Sequence, residues 1–409
     1  MRILIVGDSG FIGQQLFLHL SHMGHQVSGC SRSRCISPTQ VFCDMSFNTK
    51  RWQEVLGKTD LVINCIGIFS NGPSAREQFQ QVHHIGPKAL FKACQAKQVK
   101  VIQISALGAE LEKPCCEFLV SKKLADNFLI QSSLDYKIFY PGIVIGTGGK
   151  STQQLALLAK FPIIPLVFPK EYNIPIITLD KFVSEIARCI DNWLEYPLQT
   201  QLYYRNDIKT LLKALSNESN IRQWRIIEIP QSLTEQLFKH IPNFQIGVFS
   251  RHSIKMLDAF NNDKFYPNSG QTFNQLSFIP DEIFSVIVNQ RYWRYFFILI
   301  LSFIWCWSGL VSLINLDTSI TLINKLGMEG PSELILIFAG AALDLLLGIL
   351  IWWSKLRIKV LYVQSLVILI YSLILATTLP EFLLHPFAPI AKNFPILIIN
   401  FYLITSIRK

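Results

Sequence analysis

Four apolar runs close the chain, at 295–314, 334–353, 360–379 and 388–407. Each is about 20 residues, the length of helix that crosses the hydrocarbon core of a bilayer. Lys392, Pro395 and Asn400 interrupt the fourth run, which makes it the weakest. Runs in such close succession leave little polar surface for a soluble fold. Residues 291–409 are therefore expected to form an all-α, four-helix transmembrane domain. Composition divides at the same place. Residues 291–409 hold 9 Lys or Arg and 5 Asp or Glu, against 29 and 23 in the first 290.

Flanking charge orients the spans. Arg291 and Arg294 precede the first. Lys355, Arg357 and Lys359 fill the loop between the second and third, and Arg408 and Lys409 end the chain. The other two loops carry only Lys325 as a basic residue. Both ends of the domain are thus expected on the cytoplasmic side, with the first 290 residues in the cytosol. Trp293, Trp305, Trp307, Trp352 and Trp353 fall near span ends, as interfacial anchors do. The net charge of +10 does not point to nucleic acid, because no basic run is interleaved with aromatics. Cations beside apolar runs suit the bilayer and its anionic lipids. The 9 cysteines are odd in number and include no CxxC, and a reduced compartment fits them best.

The first part alternates strands and helices. Apolar runs at 2–6, 25–30, to Asp44, 60–66, 99–104 and 136–145 read as strands. Helical spacing covers 12–20, 84–98, 117–132 and 181–193. That alternation predicts a doubly wound parallel sheet, the α/β Rossmann arrangement, with its ligand at the carboxyl ends of the strands. Residues 1–200 are assigned to this domain and 201–290 to a substrate, cap and linker region. Directly after the first strand comes Gly7-Asp8-Ser9-Gly10-Phe11-Ile12-Gly13. The first glycine allows the tight turn, the second a close approach to pyrophosphate, the third close helix–strand contact. The helix N-terminus adds free N–H groups and a favourable dipole. Dinucleotide binding is expected at Gly7, Ser9, Gly10, Phe11, Ile12 and Gly13. At the end of the second strand, Arg32 and Arg34 suit a 2′-phosphate, which favours NADP over NAD. Asp44, ending the third strand, is placed to reach the adenine.

GDSGFIG, VINCIGI, ISALGA, FLVSK and YPGIVIG occur in order, with VHHIGPKALFKAC between the second and third. Together they resemble the short-chain dehydrogenase/reductase superfamily, in its atypical, complex-I-subunit-like branch. With FAGAALDLLLGIL in the spans, the whole looks like bacterial proteins of that kind that end in a DoxX-like membrane domain. The resemblance implies a bacterial inner-membrane protein, hydride transfer with a lipophilic carbonyl, alcohol or quinone-like substrate, or a non-catalytic role in a membrane redox complex. It implies cofactor contacts at Asn64, Gly67, Lys122 and Pro141, and catalytic roles for Lys122 and Ser105. The superfamily's Tyr-x-x-x-Lys pair is broken here: Phe118 stands where tyrosine is expected, and phenylalanine cannot transfer a proton. Tyr136, Tyr140, His83 and His84 are the candidates for a substitute acid.

Two decoys fall away. Gly148-Gly149-Lys150-Ser151 lacks the first glycine of a phosphate loop, since position 144 is Val144. His19, His22 and His25 have no carboxylate or cysteine near them in sequence to complete a metal set. Asp344 is different. A carboxylate in mid-span must face a partner or the bundle interior. It reads either as a ligand or proton site or as a hydrogen bond to Ser308, Tyr371 or Ser372.

Overall fold

The computed structural model describes residues 1–32, 39–69, 74–161, 163–166, 173–216, 225–229, 236, 245–246, 249–260, 282–325, 327, 330–383 and 390–408. The chain divides into two compact units, Met1–Val288 and Asn289–Lys409.

The first unit is built on seven strands: β1 (Arg2–Val6), β2 (Gln26–Ser31), β3 (Gln40–Phe42), β4 (Leu61–Asn64), β5 (Lys100–Ile104), β6 (Tyr136–Pro141) and β10 (Gln199–Leu202). Their order is β10-β6-β5-β4-β1-β2-β3, and every neighbouring pair is parallel. Parallel strands are covered on both faces, so their residues are apolar in both phases of the pleat. Ile3 and Ile5 meet Leu16 and Leu20 of α1 (Phe11–His22) and Phe182 and Ile186 of α7 (Leu179–Asp191). Leu4 and Val6 join the opposite core, with Trp52 of α2 (Thr49–Leu56), Phe91 of α4 (Gly86–Lys97) and Leu119 of α5 (Glu117–Ile130). From β1 the chain runs outward through β2 to β3 and then returns to β4. That reversal opens a crevice above the carboxyl ends of β1 and β4.

The expected strand over 136–145 is two strands. β6 stops at Pro141, and β7 (Ile143–Ile145) belongs to a separate sheet with β9 (Asn173–Thr178) and β11 (Tyr204–Asp207). The break lies at Gly142, whose N–H donates to Leu202 O at 2.9 Å. A Cβ there would stand 2.6 Å from Pro175 O, so only glycine lets the two segments meet. The helical spacing at 84–98 is α4, entered through a π-helical turn at Gln80–Ile85 that follows α3 (Ala75–Phe79). Beyond the sheet, α6 (Lys150–Leu158) and α8 (Ile208–Ser216) share a core of Leu155, Ile174, Ile176, Leu211 and Leu212. Helix α9 (Arg251–Phe260) brings Phe260 against Leu107 and Tyr203. Cys30 and Cys43 form a disulfide, which corrects the expectation of a fully reduced chain. The parallel pairing of β2 with β3 sets Cys30 beside Val41, and Cys43, just past the end of β3, comes within 5.6 Å of Cys30 between Cα atoms.

The second unit is helical: α10 (Glu282–Ile314, whose first turns belong to the first unit), α11 (Leu316–Lys325), α12 (Pro331–Leu350), α13 (Arg357–Thr378) and α14 (Asn393–Arg408). Three helices, Ile283–Ile314, Pro331–Leu350 and Arg357–Thr378, are long and apolar enough to cross a membrane. The fourth apolar run forms a helix of 16 residues. Its three sequence interruptions have separate fates. Lys392 precedes the helix. Pro395 falls in the first turn, where an N–H has no intrahelical acceptor anyway. Asn400 is fully buried and donates to Ser365 Oγ at 3.1 Å. Ile298, Leu301, Trp305, Leu347, Leu361 and Leu403 fill the interior, while Phe303, Ile349, Leu366 and Leu373 face outward. An apolar exterior around an equally apolar interior is what a lipid solvent permits.

Candidate functional site

The glycine turn follows β1 directly. Gly7 adopts φ +94°, donates its N–H to Cys30 O at 2.7 Å and accepts from Gly10 N at 3.0 Å. Gly10 caps the N-terminus of α1 with no side-chain bond, which leaves the first-turn N–H groups for a ligand. A Cβ on Gly13 would stand 2.2 Å from Gly7 O. The turn can fold back on the helix only if Gly13 has no side chain. Ser9 is exposed at the rim, and the Phe11 ring lies against Gly146 and Gly149. A cavity of about 370 Å³ opens beside this turn, lined by Asp8, Ser9, Gln14, Phe17, Thr39 and Gln40.

Next to the crevice, the ends of β4 and β5 gather buried polar groups. Asn64 donates to Gln103 Oε1 at 2.8 Å. Lys122, 5% exposed, donates from Nζ to Ile104 O at 2.9 Å, and its Nζ lies 3.6 Å from where a Cβ on Gly67 would be. Burial pushes this lysine down to about 8, against the pull of Asp126 and Cys65. Ser105 donates its hydroxyl to Asp126 Oδ2. Burial pushes the Asp126 carboxyl up to about 7, while the Ser105 bond and the Lys122 charge act the other way. Asp126 was not singled out in the sequence, yet it is four residues beyond Lys122. That spacing puts two side chains on one helix face.

Phe118 is four residues before Lys122 on the same face. Its ring contacts Phe69, Phe79 and His83, with centroids 5.3, 5.9 and 5.3 Å away, and Lys122 Nζ is 6.0 Å from its centre. None of the four candidate acids takes the tyrosine's place. His83 accepts at Nε2 from Ile68 N–H at 3.0 Å, so its proton sits on Nδ1 and is donated to Ser121 Oγ at 3.0 Å. Ser121 donates onward to Phe118 O at 2.8 Å. Burial first, and the Lys122 charge second, push His83 down to about 2, so it stays neutral. His84 is bonded to Gln80 Oε1 at 3.2 Å. Tyr140 donates to Gln199 Oε1 at 3.2 Å and lines a cavity of about 490 Å³ along β10, away from the glycine turn. Tyr136 is buried in the sheet core.

At the other side of the crevice, Arg32 is exposed at the end of β2, and Ser33 and Arg34 lie outside the described residues. Asp44 accepts from Ser46 N at 2.8 Å; bonds from Ser46 chiefly, with a smaller contribution from Arg32, hold its carboxyl below the ordinary value. Pro141 ends β6 and accepts from Leu107 N at 2.9 Å. In the second unit, Asp344 on α12 is 6% exposed and accepts from Ser308 Oγ of α10 at 2.7 Å, one of the three partners considered for it, while its Oδ1 has none among the described residues.

Residues 3–124 match the NAD dependent epimerase/dehydratase family, and residues 302–401 match the DoxX-like family. No curated protein matches. Similar solved structures include MoeE5 in complex with UDP-glucose and NAD, at 15% identity and TM-score 0.47 over 56% of this chain and 85% of that one. Another is the Helicobacter pylori ADP-L-glycero-D-manno-heptose-6-epimerase, at 16% identity and TM-score 0.48 over 56% and 86%. A third is an Agrobacterium tumefaciens short-chain dehydrogenase/reductase superfamily protein with bound NAD, at 13% identity and TM-score 0.47 over 64% and 96%. The chain therefore carries an N-terminal region similar to the NAD dependent epimerase/dehydratase family and a C-terminal region similar to the DoxX-like family.

Proposed function

We propose that this protein is a membrane-anchored, NAD(P)-binding relative of the short-chain dehydrogenases that holds its dinucleotide without tyrosine-driven proton transfer. One observation carries the reading. Phe118 occupies the tyrosine position inside an aromatic cluster, beside a neutral His83 with both ring nitrogens engaged. The cradle itself is intact. Gly7, Gly10 and Gly13 keep the pyrophosphate approach open, with Ser9, Phe11 and Ile12 around them. Asn64, Gly67, Lys122 and Pro141 line the nicotinamide side, and Asp44 the adenine side. Arg32, exposed at the end of β2, supports NADP over NAD. A bound nicotinamide would supply hydride. In a non-catalytic reading it instead orders the crevice, and the protein serves as a cofactor-dependent scaffold of a membrane redox complex.

A second reading rests on Lys122. A lysine held near 8 gives up its proton more readily than an ordinary one. It would stand in as acid, with Ser105 close by, in reduction of a lipophilic carbonyl or quinone-like substrate. Purified protein in detergent separates the two. NADPH fluorescence and thermal shift should report binding, and membrane-lipid extracts should cause no NADPH oxidation. Oxidation by the wild type overturns the scaffold reading, and absence of binding overturns the cofactor reading.

The cations at one end of the helical unit support a bacterial inner-membrane location with both chain ends cytoplasmic. An alkaline phosphatase fusion after Lys409 should be inactive; an active fusion contradicts that orientation.

A further inference from the structure

One end of the second unit carries charge of a single sign. Arg291 and Arg294 lie at the start of its part of α10, and Lys355, Arg357 and Lys359 at the turn from α12 into α13. Contacts place these segments together with the end of α14. Arg294 Nη2 donates to Ser406 O at 2.6 Å. Arg357 donates to Ile351 O at 2.9 Å and to Trp352 O at 3.1 Å. The Arg294 guanidinium thus sits on a carbonyl of the last turn of α14, and that of Arg357 on carbonyls just past the end of α12, where the helix dipole favours a cation.

Trp352 Nε1 donates to Ser302 Oγ of α10 at 3.0 Å, which brings the turn from α12 into α13 against α10. The consequence is electrostatic. No acidic residue occurs at 289–297, 351–361 or 403–409 to offset these cations. Arg294 Nε is buried without a hydrogen-bond partner, and Arg291, Lys355 and Lys359 have no acidic partner among the described residues. The opposite end of the bundle is different: it carries Asp317, Glu333 and Glu381, and Lys325 there pairs with Glu381 at 3.8 Å. Around the basic end, Trp293, Tyr295, Trp352 and Trp353 are exposed. Such rings settle at the headgroup level of a bilayer.

We infer that this end of the second unit is a binding surface for an anionic phospholipid, whose phosphate lies between Arg294 and Arg357. This rests on the second unit being a membrane domain. A net negative headgroup supplies the missing counter-charge. A zwitterionic one brings another cation into a site that already has five. The aromatic ring holds the acyl side at the right depth. Each cation near an anionic surface strengthens attraction about fivefold.

The test uses the full chain in nanodiscs of phosphatidylcholine alone or mixed with phosphatidylglycerol. Mass spectrometry of retained lipid and thermal unfolding are the readouts. Phosphatidylglycerol should be retained at least about fivefold above its share of the bulk, and melting should rise. R294Q/R357Q should abolish the enrichment. Because those arginines also cap helix ends, R291Q/K355Q/K359Q provides a second variant, which should fold and show reduced enrichment. Retention at bulk composition by wild-type protein that enters both discs overturns the inference and leaves the membrane reading standing. Equal stabilisation by inorganic phosphate also overturns it, since the source would not be lipid. Protein that enters neither disc overturns the membrane reading as well.

Discussion

The ring of Phe118 stands edge-on to the imidazole of His83, with centroids 5.3 Å apart and planes at 88°. That relationship decides how the crevice is understood. A tyrosine at position 118 would present its hydroxyl among Lys122, His83 and the nicotinamide side of the cradle. Phenylalanine fills the space and offers no proton. Introducing F118Y should therefore create NADPH-dependent reduction of a lipophilic test carbonyl. A positioned acid is worth about 10²–10⁴-fold, so a rate at least about a hundredfold above the wild-type background is expected. A variant that binds NADPH yet stays at background would show that more than the hydroxyl is missing.

The neutral state of His83 follows from its burial and the Lys122 charge, and its two bonds fix the tautomer. Nitrogen-resolved NMR on labelled protein should find the Nδ1–H tautomer, unchanged between about pH 5 and 8, where an ordinary histidine titrates. Titration of this ring in that range would contradict the bonding scheme.

Asp126 and Lys122 should leave a signature in the pH dependence of stability. The Asp126 carboxyl, ordinarily 3.8, is pushed up to about 7 in the folded chain. The native state then keeps a proton that the unfolded chain has released. Its contribution is present below about pH 4 and is lost as pH rises towards about 7, at no more than about 1.4 kcal/mol per pH unit. Lys122, pushed from 10.5 down to about 8, acts in a higher window: its penalty is full below about pH 8 and is relieved as pH rises towards 10.5. Denaturant titrations should show the first slope in the wild type and a flatter one in D126N. An unchanged slope would remove Asp126 as its source.

Much of the first unit was legible because parallel strands are apolar on both faces. The segments 2–6, 60–66 and 99–104 stand out for that reason. The seventh strand did not, since Gln199–Leu202 is a short polar strand at the sheet edge, paired on one side only. The split at Gly142 depends on Pro175, 33 residues later, and the Cys30–Cys43 bond on the pairing of β2 with β3. Neither is a local pattern. In the site, the glycine turn and the loss of tyrosine at Phe118 were readable directly. The Ser105–Asp126 bond and the His83–Ser121–Phe118 chain needed the α5 helix laid against β5 and the π-helical turn. Asp126 was within reach of helical spacing from Lys122; the fixed tautomer of His83 was not.

Removing the Ser308 hydroxyl leaves Asp344 with no side-chain hydrogen bond among the described residues. S308A should destabilise the second unit by about 0.6–1.7 kcal/mol, the range for bonds between membrane helices. Ser312, whose hydroxyl donates within its own helix to Ser308 O at 2.9 Å, is the control, and S312A should change little. Thermal unfolding in detergent reads both. Equal effects would deny the Ser308–Asp344 bond its role.

A dinucleotide is proposed to lie on the turn from Gly7 to Gly13. Calorimetric titration of the detergent-solubilised chain with NADPH and NADH, on wild type and G13A, tests it most directly. A Cβ at Gly13, 2.2 Å from Gly7 O, forces the turn off the helix. The account predicts saturable one-site binding by the wild type, tighter for NADPH than for NADH, and loss of at least about tenfold in affinity in a folded G13A. Wild-type protein that binds neither dinucleotide, or a folded G13A that binds as well as the wild type, would contradict it.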